Sequence, residues 1–136
     1  MKKLVPIFAF AALHVYLNAA SLPWPQFRGP DGQGHSDVKN IPIEWSETKN
    51  IAWKKPVPGE GWSSPVIGAG QVWMTSSHNG GKALHAVCLD LKSGKLLHDV
   101  KVLTTKDAGP RHKLNGYASP TPVLDGERVY VHFGPR

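Results

Sequence analysis

Seven histidines are the side chains in this 136-residue sequence best suited to bind a metal ion. Imidazole nitrogens bind zinc and other transition metals, usually from pairs at short, recognisable spacings. After His14, the histidines stand at scattered positions without such a pair: His35, His78, His85, His98, His112 and His132. The spacing predicts no metal site. We interpret His85 and His132, which alternate with apolar residues, as packed or surface residues of strands.

A short basic cluster, Arg111-His112-Lys113, is the second group of residues that could bind a ligand, because cations bind anionic ligands. It lies inside Thr104–Asn115, a long polar segment. Long loops on rigid scaffolds often carry binding residues, so Arg111 and His112 are the predicted partner-binding residues. The alternative interpretation is a solvated loop. No catalytic residue is predicted, since the acids form no recognisable cluster: Glu44, Glu47, Glu60, Asp99 and Asp107.

Two further motifs resemble functional loops only superficially. The stretch WPQFRGPDGQGHS (Trp24–Ser36) is glycine-rich, but it neither follows a strand nor opens a helix, as a phosphate loop must. It also lacks the oxygen-ligand spacing of a calcium loop. Ser63-Ser64 cannot form a nucleophile elbow because Pro65 replaces the required glycine. We expect the first stretch to lead into the fold, with Trp24, Pro25 and Phe27 packed on it.

Cys88 is the only cysteine, so the chain forms no internal disulfide. It lies within the apolar sequence VCLD, where we interpret it as a small buried hydrophobic residue rather than a reactive thiol.

The scaffold for these residues is indicated by an internal repeat. Ser63–Ser77 and Thr121–Gly134 both contain a short apolar strand, a glycine-bearing turn and a β-branched or aromatic strand, at an offset of 57 residues. Each copy is typical of a β-hairpin. Between them, Ala83–Val102 predicts two more strands around the turn Asp90–Gly94.

The first unit therefore contains four predicted strands: Pro65–Ile67, Gln71–Ser76, Leu84–Leu89 and Lys95–Val102. Four strands in about 40–50 residues are typical of one propeller blade. We predict an all-β fold, a β-propeller of four-stranded antiparallel blades, of which this sequence holds about one complete blade and parts of two others. An ordinary β-sandwich is the alternative.

At these residues the chain resembles the pyrroloquinoline-quinone (PQQ) repeat family of β-propellers. The family's Asp-x-x-Thr-Gly turn, followed by Trp, is matched at Asp90 and Gly94, with Ser93 for Thr and His98 for Trp. Trp53 matches the family tryptophan, which docks against the neighbouring blade. WPQFRGP, IEWSETKNIAWK and PGEGWSSPV occur in this order in one exported subgroup of the family. The resemblance also implies that Asn50–Val57 forms a strand that closes the ring.

The resemblance implies two alternative functions. The first, which we favour, is an exported, non-catalytic scaffold that binds a protein or small ligand through its blade loops. The second is part of a PQQ-dependent alcohol or sugar dehydrogenase, which would need a quinone pocket, a bound Ca²⁺ and a catalytic acid. No cofactor is evident from the residues, and PQQ follows from the resemblance alone.

The N-terminus is typical of a secretory signal peptide, with a basic start, the apolar run Leu4–Leu13 and small residues at Ala19–Ser21. The predicted organisation is a signal peptide (1–21), a lead-in segment (22–49) and a truncated propeller domain (50–136). We expect a periplasmic or secreted protein without a lipid-anchoring cysteine or a transmembrane anchor after signal removal.

Without Lys2 and Lys3 the net charge falls from +6 to +4, and the dispersed cations predict no nucleic-acid partner.

Because a propeller needs about four to eight blades to close, we expect the sequence to be a fragment of a longer propeller or a truncated product.

Overall fold

The computed structural model describes residues 23–39 and 41–134, and it is an all-β structure. The predicted signal peptide lies outside these ranges. Strands β1 (Val66–Gly68), β2 (Gln71–His78), β3 (Ala83–Asp90) and β4 (Leu96–Thr104) form one antiparallel sheet in the order β1-β2-β3-β4. Strands β5 (Val123–Asp125) and β6 (Arg128–Tyr130) form a second, two-stranded sheet. The four predicted strands of the first unit are confirmed, with ends that shift by one or two residues. The second hairpin is confirmed as well, but β6 ends at Tyr130, so the interpretation of His132 as a strand residue is wrong. In the structure β6 pairs only with the three-residue β5, and the chain beyond Tyr130 has no ladder partner among the described residues.

Tight turns connect the strands where the sequence supplies the required backbone conformations. Ala69 and Gly70, between the paired residues Gly68 and Gln71, have φ values of 48° and 74°. Two positive φ angles are typical of the type I′ hairpin, whose twist matches that of the flanking strands. A short 3₁₀ turn (Asn79–Gly81) joins β2 to β3.

The turn between β3 and β4 is stabilised by Asp90, as the sequence predicted. The Asp90 carboxylate accepts hydrogen bonds from the Ser93 amide (2.7 Å) and from the Ser93 hydroxyl. Gly94 has a φ of 67°, and a Cβ added there would lie 2.6 Å from the Trp53 ring. Glycine is needed at this position because the chain reverses here and the indole packs directly against its backbone.

One face of the four-stranded sheet carries the apolar core. Val72, Val87 and Leu89 are buried there, and Trp53, Val57, Ile67, Met74 and Leu91 pack against them. The Trp53 indole nitrogen donates a hydrogen bond to the Leu91 carbonyl (2.9 Å). The core therefore joins the sheet to the preceding segment rather than lying within the sheet alone.

The opposite face of the sheet carries three residues that pair across neighbouring strands: Trp73, Cys88 and His98. The Trp73 and His98 rings stack, with centroids 5.7 Å apart and planes 14° from parallel. His98 thus makes an aromatic contact within its own sheet. Cys88 between them is fully buried, which confirms its predicted role as a packed residue.

The lead-in segment connects the two sheets. Trp24 forms a β-bridge with Ile67 of β1, and the Pro25 carbonyl accepts a hydrogen bond from Leu124 of β5 (2.8 Å). The interpretation of this segment as packing on the fold is correct for Trp24 and Pro25 but wrong for Phe27, whose side chain is 59% exposed. Arg28 lies over the outer Phe27 ring instead, 5.8 Å from its centroid.

The expected strand at Asn50–Val57 is also absent from the structure, which shows this segment as irregular. Trp53 and Val57 contact the core, whereas most of the residues around them are exposed. The physical reason is that an isolated segment without a paired neighbour has no ladder hydrogen bonds, and only its side chains hold it to the sheet.

Candidate functional site

The loop between β4 and β5 carries Arg111 and His112, the residues predicted to bind a partner. Thr105, just after β4, donates its amide to the Lys82 carbonyl in the turn between β2 and β3 (2.9 Å). Inside the loop, Asp107 accepts the Gly109 amide (2.9 Å), and the His112 carbonyl accepts the Asn115 amide (2.9 Å). These contacts give the loop a defined shape although it contains no regular secondary structure.

Arg111 is held in place on two sides. Its guanidinium donates a hydrogen bond to the Asn115 carbonyl and lies over the Tyr117 ring, 5.1 Å from the centroid. Such a distance is within the range of a cation–π interaction. The Tyr117 hydroxyl in turn donates to the Gly109 carbonyl (2.9 Å). Since a guanidinium has five N–H donors, several remain to bind an anion in a geometry that is already set.

A cleft of 440 Å³ lies beside this arginine, lined by Arg111, His112, Tyr117, Ser119 and Phe133 among others. This volume is within the usual range of small-ligand sites. The structure thus brings Arg111 and His112 to the same cleft. Within the loop 104–115, three cations (Lys106, Arg111 and Lys113) stand against one acid (Asp107), a formal net charge of 3 − 1 = +2.

A second group of chemically capable residues crosses the four-stranded sheet diagonally. His78, at the end of β2, pairs with Ala83; His85 lies two residues further along β3; and Asp99 of β4 pairs with Val87, two residues further again. Because side chains alternate between the faces of a strand, these three register positions share one face. One potential ligand atom from each residue lies within 4.8 Å of those of the others.

The contacts within this triad, His78, His85 and Asp99, are close. The Nδ1 atom of His85 lies 2.6 Å from Oδ1 of Asp99. The His85 side chain is 15% exposed and the Asp99 side chain 29%, and Asp99 as a whole residue lies at the surface. The His78 and His85 rings are 4.2 Å apart between centroids and tilted by 38°. Among the described residues, Nε2 of His78 is the one buried side-chain nitrogen or oxygen without a hydrogen-bond partner.

The sequence did not reveal this triad. Its members are separated by seven and fourteen residues, a spacing that matches no metal-binding motif, and β2 was expected to end at Ser76, before His78. What joins them is strand register, which depends on the length of the turn and on the irregularities where β3 pairs with β4. The triad could have been predicted from the sequence only by extending β2 to His78 and then using side-chain alternation to place His78 on the same face as His85.

The remaining candidates are accounted for by packing. Burial, with a smaller contribution from the Asp90 charge, raises the pKa of the Cys88 thiol to about 11, so the unreactive protonated form prevails. The Ser93 hydroxyl and amide lower the pKa of Asp90. The Ser63 hydroxyl accepts the Thr75 amide (2.9 Å), and Ser64 donates to the Thr121 hydroxyl (3.2 Å), so both serines shape the approach to β1 as the sequence predicted.

Within the described ranges, the chain holds no helix with the length and apolar character that crossing a membrane requires.

Comparison with protein-family models, with curated proteins and with solved structures gives no match for this chain. The functional interpretation therefore depends on the geometry of the cleft and of the triad.

Proposed function

We propose that this chain is part of an exported, non-catalytic β-propeller with PQQ-like repeats, and that its blade loops bind a small anionic ligand. The observation that carries the proposal is the fixed Arg111 guanidinium beside a 440 Å³ cleft on the loop that follows β4. Binding residues on a loop held by a rigid β-scaffold are the usual arrangement in such folds.

The order of the strands supports the propeller part of the proposal. Four consecutive antiparallel strands form one sheet, as in a blade, and a hairpin equivalent to its first two strands follows at an offset of 57 residues. Ser64 and Thr121 occupy equivalent positions in the two copies of the repeat, 57 residues apart. The Ser64 amide donates a hydrogen bond to the Thr121 hydroxyl, so the two copies are in contact. The Trp53 indole, from the preceding segment, docks on the turn Asp90–Gly94. These contacts are of the kind that join successive blades.

The charge and size of the cleft support a small anion as the ligand. Arginine binds carboxylates and phosphates through parallel N–H donors, and the surrounding loop carries an excess of cations. A cleft of this volume is the size of a small-molecule site, whereas a typical protein–protein interface is a much larger surface. The quinone-dependent dehydrogenase remains an alternative prediction of the family resemblance.

The proposal is tested by titrating the protein with succinate, a small dianion, in a calorimeter. Replacing Arg111 with alanine should weaken succinate binding by about tenfold or more, because hydrogen bonds to charged groups contribute about 1.5–3 kcal/mol. Arg28→Ala is the matched control, since Arg28 also lies over an aromatic ring but outside the cleft. Equal affinities of the Arg111→Ala variant and the unchanged protein would contradict the assignment of the cleft.

A further inference from the structure

We propose that the triad of His78, His85 and Asp99 is a binding site for a divalent transition metal ion of the Zn²⁺ type. The site involves none of the cleft residues and goes beyond the anion binding proposed above. The metal site would lie at the end of β2, on the face of the sheet that also carries the apolar core.

The donor set fits such an ion. Two imidazole nitrogens and one carboxylate oxygen are ligands that zinc, iron, nickel and copper accept, whereas Ca²⁺ and Mg²⁺ prefer oxygen ligands alone. Three protein ligands also leave at least one coordination position for water or an external ligand, an arrangement found in zinc sites that do chemistry.

The distances require only small adjustments. A tetrahedral ion with bonds of about 2.0–2.1 Å holds its ligand atoms roughly 3.4 Å apart, and the three ligand atoms here lie within 4.8 Å of one another. The three residues are on neighbouring, hydrogen-bonded strands, so their backbones are fixed by the sheet. The adjustment that a bound ion requires is therefore expected in the side chains rather than in the strands.

The short hydrogen bond between Nδ1 of His85 and Oδ1 of Asp99 brings two potential ligand atoms together. Metal-binding histidines commonly share a hydrogen bond with a carboxylate, which sets the tautomer and orients the ring. In the metal-free site the Asp99 carboxylate orients the His85 imidazole through this hydrogen bond. A bound ion would displace the shared proton to solvent, so that Nδ1 of His85 and Oδ1 of Asp99 both become ligands. The carboxylate also supplies the negative charge that a dication needs in a partly buried position.

The unpartnered nitrogen of His78 is the observation that a purely structural role does not explain. A buried polar atom without a partner costs free energy, and an ion bound to Nε2 would remove that cost. Gly59 lies beside this atom: a Cβ added there would be 2.7 Å from Nε2 and 2.3 Å from Oγ of Ser76. Gly59 thus packs so closely against the imidazole that no residue with a side chain fits there, which leaves Nε2 facing a backbone that offers it no hydrogen bond in the structure.

The experiment is a calorimetric titration of the full chain with Zn²⁺, after removal of bound metals with a chelator and then of the chelator itself. We expect one tight site per chain. Asp99→Asn, which preserves the shape of the side chain, and His78→Gln should each weaken Zn²⁺ binding by at least about tenfold to a hundredfold, the loss that removal of even an outer-shell partner causes. His112→Gln, Arg111→Ala and His132→Gln are the matched controls and should leave the affinity unchanged.

A spectroscopic readout separates a formed site from ions held at scattered surface histidines. Co²⁺ added in place of Zn²⁺ should produce visible d–d absorption typical of four-coordinate cobalt, and this absorption should be lost in Asp99→Asn. Far-UV circular dichroism verifies that each variant is folded, and if His78→Gln fails to fold, Asp99→Asn still decides the question. The proposal is overturned if the unchanged protein binds no Zn²⁺ at about 100 μM, or if Asp99→Asn and His112→Gln weaken binding equally.

Discussion

At the scale of single residues, the chemistry of this protein depends on what each side chain contacts rather than on its type alone. Arg111 is suited to bind an anion because Tyr117 and the Asn115 carbonyl hold its guanidinium beside the cleft. Cys88 has the opposite character, since its fully buried thiol is kept protonated by desolvation. The same residue types in exposed, unconstrained positions would be a solvated cation and a reactive thiol.

Cys88 should therefore react with a thiol reagent such as dithionitrobenzoate only when the protein unfolds. Its folded pKa of about 11 lies above the ordinary value of 9.0, so protons bind more tightly to the folded state. Its ionisation consequently destabilises the fold as the pH rises from 9 toward 11. Labelling at pH 8 should be slow in buffer and complete in concentrated urea; rapid labelling in buffer would contradict the buried position.

Comparing the protein with a Cys88→Ala variant isolates the contribution of this one thiol. As the pH is raised above 9, the free energy of unfolding of the unchanged protein should fall relative to that of the variant, because only the unchanged protein contains the thiol.

At the scale of elements, turns with defined chemistry determine where the strands pair. The Asp90–Gly94 turn is closed by the Ser93 hydrogen bonds to the Asp90 carboxylate and by the Gly94 amide, which donates to the Asp90 carbonyl (2.8 Å). The β1–β2 turn is less well matched to its sequence, because Ala69 is held at a φ of 48°. A left-handed conformation costs a non-glycine residue roughly 1–2 kcal/mol.

Replacing Ala69 with asparagine should stabilise the protein by about 0.5–1 kcal/mol, because Asn-Gly is the preferred type I′ pair and asparagine tolerates the left-handed region. Urea denaturation monitored by circular dichroism measures the change. Ala69→Val provides the matched comparison: a β-branched residue resists positive φ and should lower the denaturation midpoint. The turn assignment fails if the valine variant is as stable as the asparagine variant.

At the scale of the whole molecule, the outer strand β4 presents several large apolar side chains to solvent. Leu96, Leu97, Val100 and Val102 are each 39–49% exposed, and Val123 and Tyr130 of the second sheet are 41% and 50% exposed. Groups of exposed apolar residues commonly mark surfaces that another part of an assembly covers. In the proposed propeller, neighbouring blades cover part of this surface and pair or shield the free strand edges.

The propeller proposal predicts that the protein from its native source has the mass of a closed ring, about four to eight blades of about 45 residues each. Native mass spectrometry tests this, and denaturing mass spectrometry of the same sample distinguishes one long polypeptide from several short ones. A monodisperse monomer of 14.8 kDa or less would contradict a closed propeller.

Most of the local structure was predictable from the sequence. The strands of the four-stranded sheet, the second hairpin and the Asp90 turn follow from alternating apolar residues bounded by glycine and aspartate, which act over a few neighbouring residues. The burial of Cys88 followed from its apolar neighbours for the same reason. Arg111 and His112 were identified as loop residues because polar insertions between strands lie at the surface.

The tertiary structure alone decided three features. It left Asn50–Val57 irregular, because a strand needs a paired neighbour that a local pattern does not specify. It exposed Phe27, because burial depends on which surface is within reach. It also placed His78, His85 and Asp99 together, since a diagonal across three strands is set by register, and a shift of one residue would turn a side chain to the other face.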